Sequence, residues 1–155
     1  MSIQENIRLD DEMRAAWNSH DIEKFLAICD DNIIWHDVAS PQPYRGKKGA
    51  RQFIQGWITA LPDLNYQEKN RLVTEDAVAV EFEFSGTNSG RIQIAPGAGA
   101  IAATGKKVTA AKGTYFGRTR GGKWVEFSSY PDVAGLMMQL GLMPKPGGTA
   151  AAKSN

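Results

Sequence analysis

Cysteine, histidine and charge imbalance are all scarce in this chain, and each shortage excludes something. One cysteine, Cys29, cannot close an internal disulfide, and with two histidines beside it a dedicated zinc site is short of ligands. No structural metal and no cofactor are expected. Apolar runs are short as well, none approaching the roughly 18 residues of a membrane-crossing helix. The opening residues, MSIQENIRLDDEMRAAW, are charged and amphipathic rather than a basic patch followed by an apolar stretch, which leads us to expect a cytoplasmic, soluble chain. Lys and Arg number 18 against 17 Asp and Glu, a net charge of +1, so there is no footprint for nucleic acid or for an anionic membrane. Neither a GxGxxG fingerprint nor a Walker loop is present: the glycine-rich stretch from Gly97 to Lys107 lacks the phosphate-loop spacing. What is left is chemistry on a small, largely uncharged molecule.

At 155 residues the chain suits one domain with a single core. We place it at residues 1–143, and read the Pro- and Gly-rich end, 144–155, as a flexible tail. Ile3, Ile7, Met13 and Trp17 predict an amphipathic first helix, and Asp21 caps a second with Ile22, Phe25, Leu26 and Cys29 facing inward. Asp30, Asp31 and Asn32 read as a turn before a strand that begins at Ile33. Ala50, Phe53, Ile54, Trp57, Ile58 and Leu61 mark a third helix, ended by Pro62. The period then becomes two. Val78, Val80, Phe82 and Phe84 alternate with Ala79, Glu81 and Glu83, an irregular Gly/Ala-rich excursion follows over 86–105, and two more strands meet at Gly121 and Gly122. Helices first and consecutive strands after them predict an α+β layer, with the helices on one face of a curved, mainly antiparallel sheet.

The most informative stretch is Gly122 to Gly141, GKWVEFSSYPDVAGLMMQLG. Trp124, Glu126, Ser128 and Tyr130 share one parity and Val125, Phe127 and Ser129 the other, which predicts a strand buried on both faces. Pro131 ends it. Asp132 stands as a helix N-cap before Val133, Leu136, Met137 and Leu140, an i, i+3, i+4, i+7 stripe. On the residues alone, Asp132 is either tied to its own helix or aimed into the cavity that strand and helix enclose. His36 is either a hydrogen-bonded structural residue or an acid/base group. Glu126 needs a partner if buried, with Lys112 or Arg118 in reach, and Glu81 and Glu83 suit a solvated or subunit-facing side of the sheet.

This stretch resembles the C-terminal strand and helix of the SnoaL-like polyketide cyclases, which have the nuclear-transport-factor-2-like fold. Gly122, Lys123, Glu126, Asp132, Gly135, Leu136, Gln139, Leu140 and Gly141 carry the match. So, more weakly, do 31–37 (DNIIWHD), Gly46, 61–64 (LPDL), 75–80 (EDAVAV), Gly86, Thr87 and Gly90, and 104–106 (TGK). The resemblance implies a cone-shaped roll of three helices on a strongly curved sheet, closed by a short C-terminal helix around a pocket. It implies that Asp132 is the acid/base of an intramolecular aldol closure: it removes a proton α to an ester carbonyl, and the enolate attacks a second carbonyl of the same folded chain. An apolar wall of Trp57, Trp124, Phe127 and Leu136 would raise its pKa. His36 takes a family pocket position. Asn88 stands where the family often has histidine, and Ser128 where it has tryptophan. Trp57, Trp124, Asn88, Glu126, Ser128 and Tyr130 are the candidate substrate-binding residues, for a small hydrophobic carbonyl-containing ligand. Two further readings of the same fold are a ligand-binding or assembly module without catalysis and an epoxide-hydrolase-like hydrolase. The stretch Val108 to Phe116 has a small apolar side that predicts a homodimer.

Overall fold

A computed structural model describes residues 2–93 and 97–147. The flexible tail read from the sequence lies mostly outside the described residues, from 148 on.

The first helix, α1 (Ile3–Ser19), begins with a reciprocal cap: the Ser2 hydroxyl accepts from the Glu5 N–H while the Glu5 carboxylate accepts from the Ser2 N–H. It ends at His20, whose left-handed backbone (φ 57°) turns the chain. Asp21 caps α2 (Ile22–Ala27) by accepting from the Lys24 N–H at 3.0 Å. Next come β1 (Cys29–Asp37), the two-residue β2 (Tyr44–Arg45) and α3 (Gly46–Ala60). Strands β3 (Asn65–Val73), β4 (Ala77–Thr87), β5 (Lys107–Arg120) and β6 (Lys123–Pro131) follow, and α4 (Val133–Gln139) closes the chain.

The sheet order is β2-β1-β6-β5-β4-β3, with β1 and β6 parallel and every other pair antiparallel. Register shifts interrupt all of the longer pairings, and each such bulge bends its strand and adds twist. The sheet is therefore strongly curved, and its concave face carries the core. Phe25, Ile33, Ile54, Val78, Trp124 and Phe127 are fully buried there. Trp35 is sandwiched between Phe53 at 4.4 Å and Phe127 at 4.2 Å, joining α3, β1 and β6 in one stack.

Two expectations from the sequence change here. Asp30 to Asn32 lie inside β1 rather than before it; their turn chemistry survives as a local bulge, in which the Asn32 N–H donates to Asp30 at 2.9 Å. And β6 is buried on one face only. Its pairing with β5 slips between Thr119↔Trp124 and Arg118↔Glu126, so Val125 is an extra residue and the parity inverts across it. Trp124 and Phe127, three residues apart, both enter the core, Ser129 continues their side, and Glu126, Ser128 and Tyr130 face outward.

Candidate active site

Where the C-terminal ends of β1 and β6 meet, under α3 and α4, the concave face leaves an elongated cavity of two adjoining lobes, about 60 and 70 Å³. Asp37, Phe53, Trp57 and Pro131 belong to both. The outer lobe runs to the surface between α3, α4 and the segment after β4, past Gln52, Gly56, Gln93, Leu136 and Met137. The inner lobe is almost wholly apolar, walled by Trp17, Leu64, Phe82 and Phe84, with Tyr66 and Tyr115 at its far end.

Asp37 is the carboxylate at the junction. It is the last residue of β1, on the same side of that strand as Ile33 and Trp35, and it is 8% exposed. Ser129 Oγ donates to its Oδ2 at 2.7 Å and the Ala39 N–H to its Oδ1 at 2.9 Å. Ser129 Oγ itself accepts from Trp35 Nε1 at 3.0 Å, so the indole fixes the serine and the serine fixes the acid. Burial pushes the Asp37 carboxyl above its ordinary pKa, and the hydrogen bonds from Ser129 and Ala39 only partly offset this. Among the described residues no cation is among the groups that act on it. A carboxylate whose pKa is raised by burial is a stronger base than an exposed one, and so better suited to exchange a proton with carbon.

Behind the inner lobe lies a polar cluster. Asp10, 1% exposed, accepts from the Tyr115 hydroxyl through one oxygen and from Arg71 at 2.9 Å through the other. Arg71 also reaches Asp11 at 2.8 Å, and Arg14 ties Asp11 and Glu68 together at 2.8 Å each. Burial raises the pKa of Tyr115, with Tyr66 and Asp10 adding to it, so the phenol stays protonated.

The residues picked out from the sequence fall in three places. Trp57 and Asn88 are on the cavity wall. The Asn88 amide is, however, fully engaged: Nδ2 donates to the Ala60 and Gly90 carbonyls at 3.0 and 2.9 Å, and Oδ1 accepts from the Thr104 N–H and hydroxyl at 2.8 Å each. Trp124 is in the closed core rather than on the cavity. Asp132, His36, Glu126, Ser128 and Tyr130 are on the outside. Asp132 is exposed and caps α4, accepting from the Gly135 N–H at 2.8 Å. His36 stands 3.5 Å from Glu126, both about half exposed on the convex face, and Tyr130 is 57% exposed there. Asp37 and Ser129 were not among them. Their signal was parity: an acid continuing the side of Ile33 and Trp35, and a serine continuing that of Phe127. Among the described residues no group of three or more His, Cys, Asp and Glu side chains could hold a metal ion.

The description of the SnoaL-like polyketide cyclases matches residues 7–140, nearly the whole described domain. The chain belongs to that family. Solved structures of the same fold include a SnoaL-like protein from Jannaschia sp. CCS1, proposed to be a polyketide cyclase: 16% identity, TM-score 0.78, with 91% of this chain and 94% of that one covered. AclR from Streptomyces galilaeus, a proposed hydroxylase, is 24% identical over 93% of this chain and 85% of its own, with a TM-score of 0.77. IdmH from Streptomyces antibioticus, a proposed polyketide cyclase, is 22% identical over 86% and 96%, with a TM-score of 0.70. No curated protein sequence matches the chain significantly. For this SnoaL-like chain, identities this low speak for the fold, while neighbours described as cyclase and hydroxylase leave the reaction to be argued from its own side chains.

Proposed function

We propose that this SnoaL-like protein is an enzyme that moves a proton next to a carbonyl group of a small, mostly apolar substrate, with Asp37 as the acid/base. The observation that carries the reading is the Asp37 carboxyl itself, buried at the junction of the two lobes and held by Ser129 and Ala39 without a cation. In its ionised form it takes the α-proton as the C–H electron pair moves into the enolate. The enolate carbon then either attacks a second carbonyl of the same molecule, forming the ring C–C bond while the new alkoxide takes up the proton, or is reprotonated at another carbon. The first outcome is an aldol cyclisation and the second an isomerisation. Asp132, as an exposed cap, enters this reading only as the residue that starts α4 and so sets the rim of the outer lobe.

The test is a carboxyl-detected NMR titration with Asp37→Asn and Asp132→Asn as assignment controls, paired with deuterium exchange at the α-carbon of a probe ketone, 2-acetylnaphthalene. A raised Asp37 pKa and exchange lost in Asp37→Asn but kept in Asp132→Asn are the expected results. Exchange lost with Asp132→Asn and kept with Asp37→Asn would return the acid/base role to Asp132. We also propose a homodimer through the convex face, where Leu72, Phe116 and Tyr130 are 76%, 41% and 57% exposed among charged strand residues.

A further inference from the structure

We infer that Tyr66 is the carbonyl-binding group of the inner lobe, a hydrogen-bond donor to the oxygen on which charge develops when the neighbouring C–H is ionised. Its hydroxyl is buried and is one of the few polar side-chain atoms among the described residues without a hydrogen bond of ordinary geometry. Buried hydroxyls nearly always have a partner, so one whose proton has no acceptor, on a residue that lines the cavity, points to a partner that the protein does not itself supply. The neighbouring groups explain why the open donor is Tyr66. Asp10 has one oxygen on the Tyr115 hydroxyl and the other on Arg71, and the Tyr115 proton is committed to Asp10. Tyr66 keeps the uncommitted proton, beside this pair and against the Phe82 ring at 5.2 Å. Burial, with Asp10 nearby, raises its pKa, so it remains a phenol and a donor.

The strand register sets the other half of the geometry. Asp37 on β1 is opposite Ser129 on β6, and Ser129 is opposite Tyr115 on β5, so Asp37 and Tyr115 occupy one row of the sheet, while Tyr66 on β3 is opposite Phe84 and outside that row. Two strand spacings separate the Asp37 and Tyr115 backbones, about 10 Å, and all three side chains of the row line the inner lobe. A carbonyl compound in the inner lobe, which Asp37 and Tyr66 both line, can place its oxygen toward Tyr66 and its α-carbon toward Asp37. The apolar walls between them are Trp57, Phe82 and Phe84, which select a flat unsaturated or aromatic ketone rather than a charged or polyhydroxylated one. A fixed donor in such a dry site favours the enolate over the ground-state ketone.

This rests on the cavity being a site for carbonyl compounds, and the experiment separates the two. Equilibrium dialysis measures the affinity of 2-acetylnaphthalene and of its carbonyl-free counterpart, 2-isopropylnaphthalene, for the wild type, Tyr66→Phe and Asp37→Asn. One lost hydrogen bond in a buried site predicts roughly five- to tenfold weaker ketone binding by Tyr66→Phe, with no loss for the hydrocarbon. The carbonyl stretch of the bound ketone shifts to higher frequency in Tyr66→Phe and keeps its wild-type position in Asp37→Asn. Because the Tyr66 proton has no acceptor among the described residues and only the Tyr115 hydroxyl stands beside it, Tyr66→Phe melts no lower than the wild type. Equal affinity for the ketone in Tyr66→Phe, equal weakening of both ligands, no ketone binding by the wild type, or a lower melting temperature each overturns the assignment. A Tyr66 effect that persists while Asp37 titrates normally would sink the acid/base reading and leave this one standing.

Discussion

Replacing Asn88 by alanine distinguishes a substrate-binding amide from a structural one. The side chain is completely buried and makes four hydrogen bonds, which fasten the C-terminal end of α3 to Gly90 and to Thr104 across the excursion after β4. Removing it strands the Ala60 carbonyl in a buried setting, at a cost of about 1–3 kcal/mol, whereas the three part-buried bonds to Gly90 and Thr104 are partly replaced by water and cost about 0.5 kcal/mol each. The total is roughly 3.5 kcal/mol. For a chain of this size each kcal/mol corresponds to about 2–4 °C, so calorimetry on Asn88→Ala should show a fall of about 7–14 °C. Urea denaturation should give the same loss through a lower midpoint at unchanged slope. In the fraction that remains folded, 2-acetylnaphthalene affinity should change less than about threefold, because no donor on the amide is open to a ligand. A stability loss under about 1 kcal/mol, joined to a tenfold loss of ketone affinity, would refute this reasoning and make Asn88 a ligand donor after all.

Other expectations follow from single contacts. The folded-state pKa of Asp37 is raised by burial, so the native chain binds its proton more tightly than the unfolded chain. Stability is therefore lost as pH rises from the ordinary aspartate value of about 3.9 through the raised native value, and the loss is complete above it. Asp37→Asn should melt higher than the wild type at pH 7, with the gap closing below about pH 4; a gap that does not depend on pH would count against a raised pKa. A Cβ at Gly90 would stand 1.7 Å from the Thr59 carbonyl oxygen, a backbone atom that cannot swing away, so Gly90→Ala should cost at least about 2 kcal/mol by urea denaturation. Phe116→Arg on the convex face should convert a dimer to a monomer in light scattering after gel filtration; a monomeric wild type at micromolar concentration would remove the dimer proposal.

How far the sequence could be read depended on whether a residue's environment was local. The caps at Asp21 and Asp132, the inward set Val78, Val80, Phe82 and Phe84 on β4, and the order of helices and strands all follow from neighbours within a few positions, and the fold agrees with them. The site did not yield in the same way. A one-residue bulge at Val125 inverts the parity of β6, and no alternation rule can see it, since the bulge is fixed by pairing with β5. Counting from Trp124 placed Glu126, Ser128 and Tyr130 toward the pocket; with the bulge, the same strand turns Ser129 inward instead.

That one slip also explains why the buried acid Asp37, and not its neighbour His36, has a core-facing serine beside it. The core-facing set of β1 is Ile33, Trp35 and Asp37, and His36 pairs with Ser128 across the parallel junction while Asp37 pairs with Ser129. Parallel pairing keeps the two strands in step to their C-terminal ends, so whichever residue of β6 faces the core there meets Asp37. Were Val125 paired instead of bulged out, unbroken alternation from Trp124 would present Tyr130 to the cavity and put Ser129 outside. The carboxyl would then lose its serine donor, and the serine its anchor on Trp35 Nε1. Because Val125 is the residue without a pairing partner, deleting it should leave Trp124, Phe127 and Ser129 on one side by plain alternation, whereas Ser129→Ala removes the donor itself. Ser129→Ala should therefore lower the Asp37→Asn-sensitive exchange of 2-acetylnaphthalene, and the Val125 deletion should keep it. If Ser129→Ala folds and keeps that exchange, the Trp35–Ser129–Asp37 relay is not what holds the acid in place.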